Sequence, residues 1–99
     1  MKVFISQPMS DKTDMEIKAE RNRAIEVIKS RYKNEEVEII DSFFEGAPHD
    51  AKPVWFLSKS LELLSTADIV YFIKGWDNYR GCKIENTVAK EYGYTVIEE

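Results

Sequence analysis

The fold of this chain is decided by residues 69–85, which read IVYFIKGWDNYRGCKIE. The first five residues are β-branched or aromatic and predict a buried strand. A polar loop that contains Gly75 and Gly81 follows, and residues 82–92 then predict a helix. Such a loop places unpaired backbone N–H groups and the positive end of the helix dipole beside a carboxylate, here Glu85. Because ligands of α/β proteins commonly bind at such strand ends, the functional site is predicted here.

The rest of the chain repeats this alternation of apolar runs and amphipathic segments. Three further strands are predicted at residues 3–5, 37–40 and 94–97. One helix is predicted to begin near Thr13, which forms a capping-box pattern with Glu16, and another near Pro53. A βαβαβαβ chain with right-handed crossovers forms a parallel sheet with helices on both faces. We therefore predict a single α/β domain over residues 1–99, with a three-layer flavodoxin-like or Rossmann-like fold and four strands in the order 2-1-3-4.

The first two helices differ in the apolar faces that their sequences predict. The apolar stripe of the first helix comprises Ile17, Ala24, Ile28 and Tyr32. The predicted buried stripe of the second helix comprises Val54, Leu57, Leu61 and Leu64, and the apolar residues off that stripe are Trp55, Phe56 and Leu63. A helix that is apolar on more than one side needs a second surface, which predicts a homodimer or a larger homo-oligomer.

Composition and charge limit the kinds of partner. The 99 residues are 43% hydrophobic and 32% charged, which is typical of a soluble globular domain with one core. A net charge of −4 argues against a nucleic-acid partner. No apolar stretch reaches the length of a membrane span or a signal peptide. Cys82 is the sole cysteine, so no internal disulfide can form, and a cytoplasmic location is predicted. With His49 as the sole histidine, neither a metal site nor a cofactor is predicted.

The predicted strand order brings the ends of the first and third strands to one crevice. The residues predicted to bind a substrate there are Ser6, Gln7, Pro8, Met9, Asp41, Gly75, Trp76, Gly81 and Cys82. Trp76, Tyr79 and Phe43 can stack on a nucleobase or pack in a subunit interface, and both interpretations stay open. His49 can titrate near neutral pH, although most loop histidines have no such role.

Glu85 is predicted to lie at the centre of this site. At the positive end of a helix its carboxylate is held ionised, either as an anchor for the helix or as a reactive anion. Cleavage of a glycosidic bond commonly uses two carboxylates, and Asp77 and Asp41 are the others near strand ends. Cys82 is a second candidate nucleophile, but a buried spectator thiol is favoured because no histidine lies nearby in the sequence.

Three segments carry a resemblance to a known family: residues 67–77, ADIVYFIKGWD; residues 81–85, GCKIE; and residues 89–93, AKEYG. They resemble the nucleoside 2-deoxyribosyltransferase-like superfamily. The resemblance is closer to its small bacterial and bacteriophage branch, in which a proline-methionine pair like Pro8-Met9 follows the first strand. It implies that Glu85 is the nucleophile that attacks the anomeric carbon of a nucleoside, and that Asp77 positions the substrate. The chain departs from the family pattern at residues 6–8. It also departs at Ser60, because the characterised enzymes carry an acidic residue at that position.

The first functional hypothesis is an enzyme that cleaves or transfers the N-glycosidic bond of a nucleoside or nucleotide. Glu85 would be its nucleophile or cation stabiliser, and Asp77 and Asp41 would hold sugar hydroxyls. If the substrate carries a phosphate, the helix N-terminus from Gly81 to Lys83 would receive it. The alternative is a catalytically inactive module that binds a nucleotide or an ADP-ribose-type signal. A third hypothesis is a subunit whose apolar helix face serves assembly alone.

Overall fold

The architecture is a four-stranded parallel sheet with α-helices on both faces. The structure is a computed structural model that describes residues 1–42 and 47–99. Its elements in chain order are β1 (Lys2–Ser6), α1 (Asp14–Arg31), β2 (Glu38–Ile39), α2 (Pro53–Leu64), β3 (Ile69–Phe72), a 3₁₀ turn (Trp76–Asn78), α3 (Arg80–Glu91) and β4 (Thr95–Glu98).

The strands pair in the order β2-β1-β3-β4, and every pair is parallel, which confirms the predicted topology. The central strands β1 and β3 place Val3 beside Ile69 and Ile5 beside Tyr71. All four residues of β3 are buried, as expected for a strand covered by helices on both faces. β2 is shorter than predicted, with two residues, and it lies at the edge of the sheet, where it pairs with β1 alone.

Alternate residues of the central strands face two separate cores, because successive side chains of a strand point to opposite faces. The core on the α1 side comprises Val3, Ile5, Ala24, Ile28, Ile69, Tyr71 and Ile73. The core on the side of α2 and α3 comprises Phe4, Leu64, Ala67, Val70, Phe72 and Ala89. Ser6 follows Phe4 by two residues, so its side chain lies on the same face as the second core.

The helix ends show how the local sequence sets the geometry. Thr13 caps α1 as predicted. Its Oγ1 accepts from the backbone N–H of Glu16 at 3.1 Å, and the side chain of Glu16 accepts from the backbone N–H of Thr13. Gly93 ends α3 with a φ of 75°, and the next N–H, that of Tyr94, donates to the carbonyl of Ala89 at 2.9 Å.

α3 begins at Arg80, two residues before the predicted start at Cys82. Gly75, with a φ of 93°, turns the chain out of β3 into the 3₁₀ turn. That turn ends at Tyr79, whose carbonyl accepts the first hydrogen bond of α3, from the Lys83 N–H at 3.0 Å. Glu85 consequently lies in the second turn of the helix rather than in the first.

The predicted buried stripe of α2 is wrong over most of its length. Leu64 is its one buried residue, Leu57 and Leu61 are half-buried, and Val54 is 72% exposed. The physical reason is that the first half of α2 stands away from the sheet and forms one wall of a cavity. Among the described helices, none combines the length and hydropathy that crossing a membrane requires.

Candidate functional site

A cavity of about 960 Å³ opens beyond the carboxyl end of β1, between α2 and α3. The predicted site residues that line it are Ser6, Gln7, Pro8, Met9, Gly81, Cys82 and Glu85. A smaller cavity of about 550 Å³ lies near Ala67 and Gly93, where β3 begins, and brings together none of the predicted site residues. The larger cavity is therefore the candidate functional site.

Glu85 lies on the inner face of α3 and reaches this cavity from within the protein. The buried residues of α3 are Cys82, Glu85, Asn86 and Ala89. This spacing of three, four and seven residues is that of one helix face, so the helical period itself buries the carboxylate. Glu85 is only 7% exposed.

Two serine hydroxyls hold the carboxyl group of Glu85. Ser6 Oγ, at the end of β1, donates to Glu85 Oε1 at 2.8 Å, and Ser60 on α2 makes a further side-chain hydrogen bond to Glu85. Burial raises the pKa of Glu85 above its ordinary value, and the two serine hydrogen bonds act in the opposite direction. Ser60, the residue predicted to occupy the position of an acidic family residue, therefore contacts the central carboxyl group directly.

Cys82 lies one helical turn before Glu85 and is 5% exposed. Burial raises the pKa of its thiol to about 11; a hydrogen-bond interaction with Ser6 opposes this rise, and the negative charge of Glu85 adds to it. Because the thiolate is the nucleophilic form, a thiol that stays protonated at neutral pH is unreactive. The structure thus favours the spectator role for Cys82.

The remaining predicted residues do not line the cavity. Asp77 is exposed on the 3₁₀ turn, and Asp41 is exposed, with its charge acting on the guanidinium of Arg21. Trp76 packs within the protein, its ring centroid 5.3 Å from that of Phe72. Glu85 is consequently the one carboxylate among the described residues that line the cavity.

The other residues considered from the sequence fall in different places. Gly75 forms the turn after β3 and does not line the cavity. Tyr79, a candidate for base stacking, lines the cavity, whereas Phe43 lies outside the described residues. His49 is exposed in a turn. Within residues 1–42 and 47–99, no group of three or more acidic, histidine or cysteine side chains is placed to hold a metal ion.

Comparison with known proteins gives one match. A family model, DUF4406, described as a domain of unknown function, matches residues 1–98. The chain belongs to this family. No curated protein and no solved structure matches the chain. The match covers every residue of the cavity, so the cavity lies within the DUF4406 domain.

Five polar residues of the DUF4406 cavity were not predicted as site residues: Ser10, Ser42, Lys52, Ser60 and Arg80. Lys52, at the N-cap of α2, and Arg80, the first residue of α3, both line it. Ser42 lines it with a buried hydroxyl that has no hydrogen-bond partner among the described residues. Ser60 was recognised only as a departure from a family pattern. The signal that points to Lys52 and Arg80 is their position at helix starts beside the predicted crevice.

Gln7 shows a comparable polar arrangement. Its Nε2 donates to the carbonyl of Ile17 at 2.6 Å, which fixes the orientation of the amide, and its buried Oε1 has no partner in the described part of the chain. A buried acceptor without a partner costs roughly 1–3 kcal/mol. Polar atoms of this kind beside a cavity are consistent with a polar ligand or bound water.

Proposed function

We propose that this DUF4406 chain binds a nucleoside or nucleotide in the cavity and cleaves or transfers its N-glycosidic bond. The observation that carries the proposal is a single carboxyl group, Glu85, buried at the end of β1 and held by hydroxyls from β1 and α2. The resemblance of residues 67–77 and 81–85 to the nucleoside 2-deoxyribosyltransferase-like superfamily supports the same reaction. In that resemblance the matching glutamate is the nucleophile.

The proposed reaction uses the ionised carboxylate of Glu85. Its oxygen attacks the anomeric carbon, or stabilises the positive charge that develops there, while the bond to the base nitrogen breaks and its electron pair leaves with the base. In hydrolysis, water then attacks the anomeric carbon, any bond formed to the Glu85 oxygen breaks and regenerates the carboxylate, and the proton that water loses goes to the base. In transfer, the nitrogen of a second base takes the place of water. Ser6, by donating to Oε1, orients the carboxylate and favours its ionised form.

A catalytically inactive binding module remains a second candidate. The observation that favours it is the absence of a second carboxylate among the described cavity residues, because glycosidic cleavage commonly uses two. Such a module would retain a nucleotide or an ADP-ribose-type signal without changing it. Glu85 would then be a hydrogen-bonding group for the ligand rather than a nucleophile.

We also propose that the chain acts as a homo-oligomer in the cytoplasm. Val54 and Phe56 on α2 are 72% and 40% exposed, and Met9 and Ile84 at the cavity are each 38% exposed. Exposed apolar residues that lie together commonly mark an interface. Light scattering of the purified protein tests this proposal, and a monomer at micromolar concentration would contradict it.

Chromatographic separation of free base from intact compound tests the proposed reaction. The protein is incubated with nucleosides, nucleoside monophosphates and dinucleotides. Base release is expected from the wild type and is lost in Glu85→Gln, which keeps the size of the side chain. Glu91→Gln is the matched control, because Glu91 is exposed on the same helix. Base release that persists in Glu85→Gln contradicts the role of Glu85. Intact compounds that remain bound to the wild type would favour the binding module.

A further inference from the structure

The charge of the cavity differs from that of the whole chain. The chain carries a net charge of −4, but among the described residues the charged ones that line the cavity are Lys52, Arg80 and the buried Glu85. Lys52 comes from the start of α2 and Arg80 from the start of α3, so the two cations belong to the two helices that form opposite walls. The cavity therefore offers positive charge to a ligand within an acidic protein.

Within residues 1–42 and 47–99, neither cation has an ion-pair partner. The ion pairs of the described residues involve other basic side chains, namely Lys12, Arg23, Lys59 and Lys90. Both Lys52 and Arg80 are exposed, so their ammonium and guanidinium groups are available to a ligand. An arginine can bind two oxygens of one phosphate, and a lysine adds a point charge with several donors.

Backbone and hydroxyl donors add to these charges. The N-cap of α3 makes no side-chain hydrogen bond and its first turn holds no acidic residue, so the helix's own first turn provides no side-chain acceptor for its first N–H groups. A Cβ placed on Gly81 would meet nothing within 4 Å, so the space in front of this helix end is open. Ser42, which is only 8% exposed, lines the same cavity, and its hydroxyl has no hydrogen-bond partner in the described part of the chain.

We propose that Lys52 and Arg80 form an anion clamp across the cavity that holds the phosphate of a nucleoside 5′-monophosphate. This inference rests on the proposed nucleoside-binding function and specifies its substrate class: the phosphorylated compound, rather than the free nucleoside, is the ligand. A cavity of about 960 Å³ accommodates a ligand of this size. The phosphate anchors the ligand at the helix starts, and the remainder of the cavity, with Glu85, receives the sugar and base.

Calorimetric titration with pairs of compounds tests the clamp. Each deoxyribonucleoside and ribonucleoside is compared with its 5′-monophosphate and with inorganic phosphate, in wild type and in Glu85→Gln, where binding is measured without cleavage. At least one monophosphate is expected to bind tenfold or more tightly than both its nucleoside and inorganic phosphate. Each of Lys52→Gln and Arg80→Gln is expected to weaken monophosphate binding about tenfold and to change nucleoside binding less than about twofold. The preference for the monophosphate should also fall as the salt concentration rises.

Lys18→Gln is the matched control, because Lys18 is exposed on α1 and does not line the cavity. The clamp is refuted if no monophosphate binds, if nucleoside and monophosphate bind equally, or if the preference survives in Lys52→Gln and Arg80→Gln. A phosphate preference without base release would leave the clamp standing and remove the proposed cleavage. Base release from free nucleosides alone, without a phosphate preference, would support the proposed cleavage and refute the clamp.

Discussion

The helices on the two faces of the sheet both carry apolar residues, but they pack against the sheet to different extents. On the α1 face the helix lies close to the sheet, and Ala24 and Ile28 are 0% and 1% exposed. On the opposite face α2 is the more apolar helix, yet Leu64 alone among its residues is buried, and its first half borders the cavity. The comparison indicates that one face provides stability, whereas the other leaves space for a ligand.

The α1 face is also closed by a polar cluster at the end of the chain. Arg23 on α1 donates to both carboxylate oxygens of Glu99, at 2.9 and 2.7 Å, and the hydroxyl of Tyr71 donates to the same carboxylate at 2.5 Å. The Lys74 N–H adds a fourth bond at 2.8 Å. Burial alone would raise the pKa of Glu99, but these bonds outweigh it and lower the pKa to about 2.

The two glutamates therefore have opposite electrostatic surroundings. The carboxylate of Glu99 has a guanidinium partner and stays ionised, whereas that of Glu85 has hydroxyl partners and a raised pKa. A carboxylate that is paired with a cation, like that of Glu99, is typical of a structural site. A buried carboxylate whose charge is poorly compensated, like that of Glu85, is typical of a functional site.

The largest expected difference between the faces concerns stability. Ile28→Ala removes a fully buried side chain from the α1 core and should lower the free energy of unfolding by about 2–5 kcal/mol. Leu57→Ala, at a half-buried position in the cavity wall, should lower it by less than about 1.5 kcal/mol. Urea denaturation of both variants measures the difference. Equal losses would mean that α2 packs as tightly as α1, contrary to this comparison.

A smaller effect is expected for the cluster around Glu99. Glu99→Gln should lower the free energy of unfolding by about 1 kcal/mol at pH 7, because the Arg23 side chain is 50% exposed and its contribution is screened. The folded pKa of about 2 lies below the ordinary value of 4.5, so this stabilisation is present above pH 4.5 and is lost as the pH falls toward 2. Thermal melts of both proteins from pH 2 to 7 should converge at the acid end. A gap that stays constant with pH would show that the charge of Glu99 contributes nothing.

Glu85→Gln should have the opposite dependence on pH. The folded pKa of Glu85 is raised, so ionisation disfavours the folded state, and wild-type stability should fall relative to the variant as the pH rises above 4.5. The net difference at pH 7 should not exceed about 1 kcal/mol, and the variant should be the more stable protein. Melts over pH 4 to 8 measure it. A variant that is destabilised at every pH would indicate that the carboxylate has a structural role instead.

The smallest expected effect concerns Ser6. Ser6→Ala removes a donor to the ionised carboxylate, so the pKa of Glu85 should rise further and the acid limb of the base-release profile should move to higher pH. The plateau rate at high pH should change much less than the position of the limb. Ser58→Ala, at an exposed hydroxyl that donates to the carbonyl of Trp55, is the control. An acid limb that does not shift would show that Ser6 has no influence on the pKa of Glu85.

The sequence predicted the fold better than it predicted the site. Strand order, the Thr13 cap and the end of α3 at Gly93 follow from local patterns and general topological rules, and the structure confirms them. The start of α3 at Arg80 was missed because the positive φ of Gly75 inserts a 3₁₀ turn that no periodicity reveals.

Strand ends and the helical period predicted that Ser6, Cys82 and Glu85 lie close together, and all three line the cavity. Asp77 and Asp41 were included because they follow strands, but the direction of a loop side chain depends on turn geometry rather than on its place in the sequence. The stripe of α2 looked buried for a related reason. Periodicity identifies an apolar face, but it does not tell whether a core or a cavity lies opposite.

Carbon-13 NMR of the glutamate side-chain carboxyl groups tests the central claim, that Glu85 faces a ligand cavity, most directly. The Glu85 and Glu99 signals are assigned with Glu85→Gln and Glu99→Gln, and both are titrated with pH before and after addition of the nucleoside monophosphate that binds most tightly. The signal and the apparent pKa of Glu85 should change on binding, while those of Glu99 stay the same. Binding that leaves Glu85 unchanged, or that perturbs Glu99 instead, would contradict the assignment of the site to this face of the sheet.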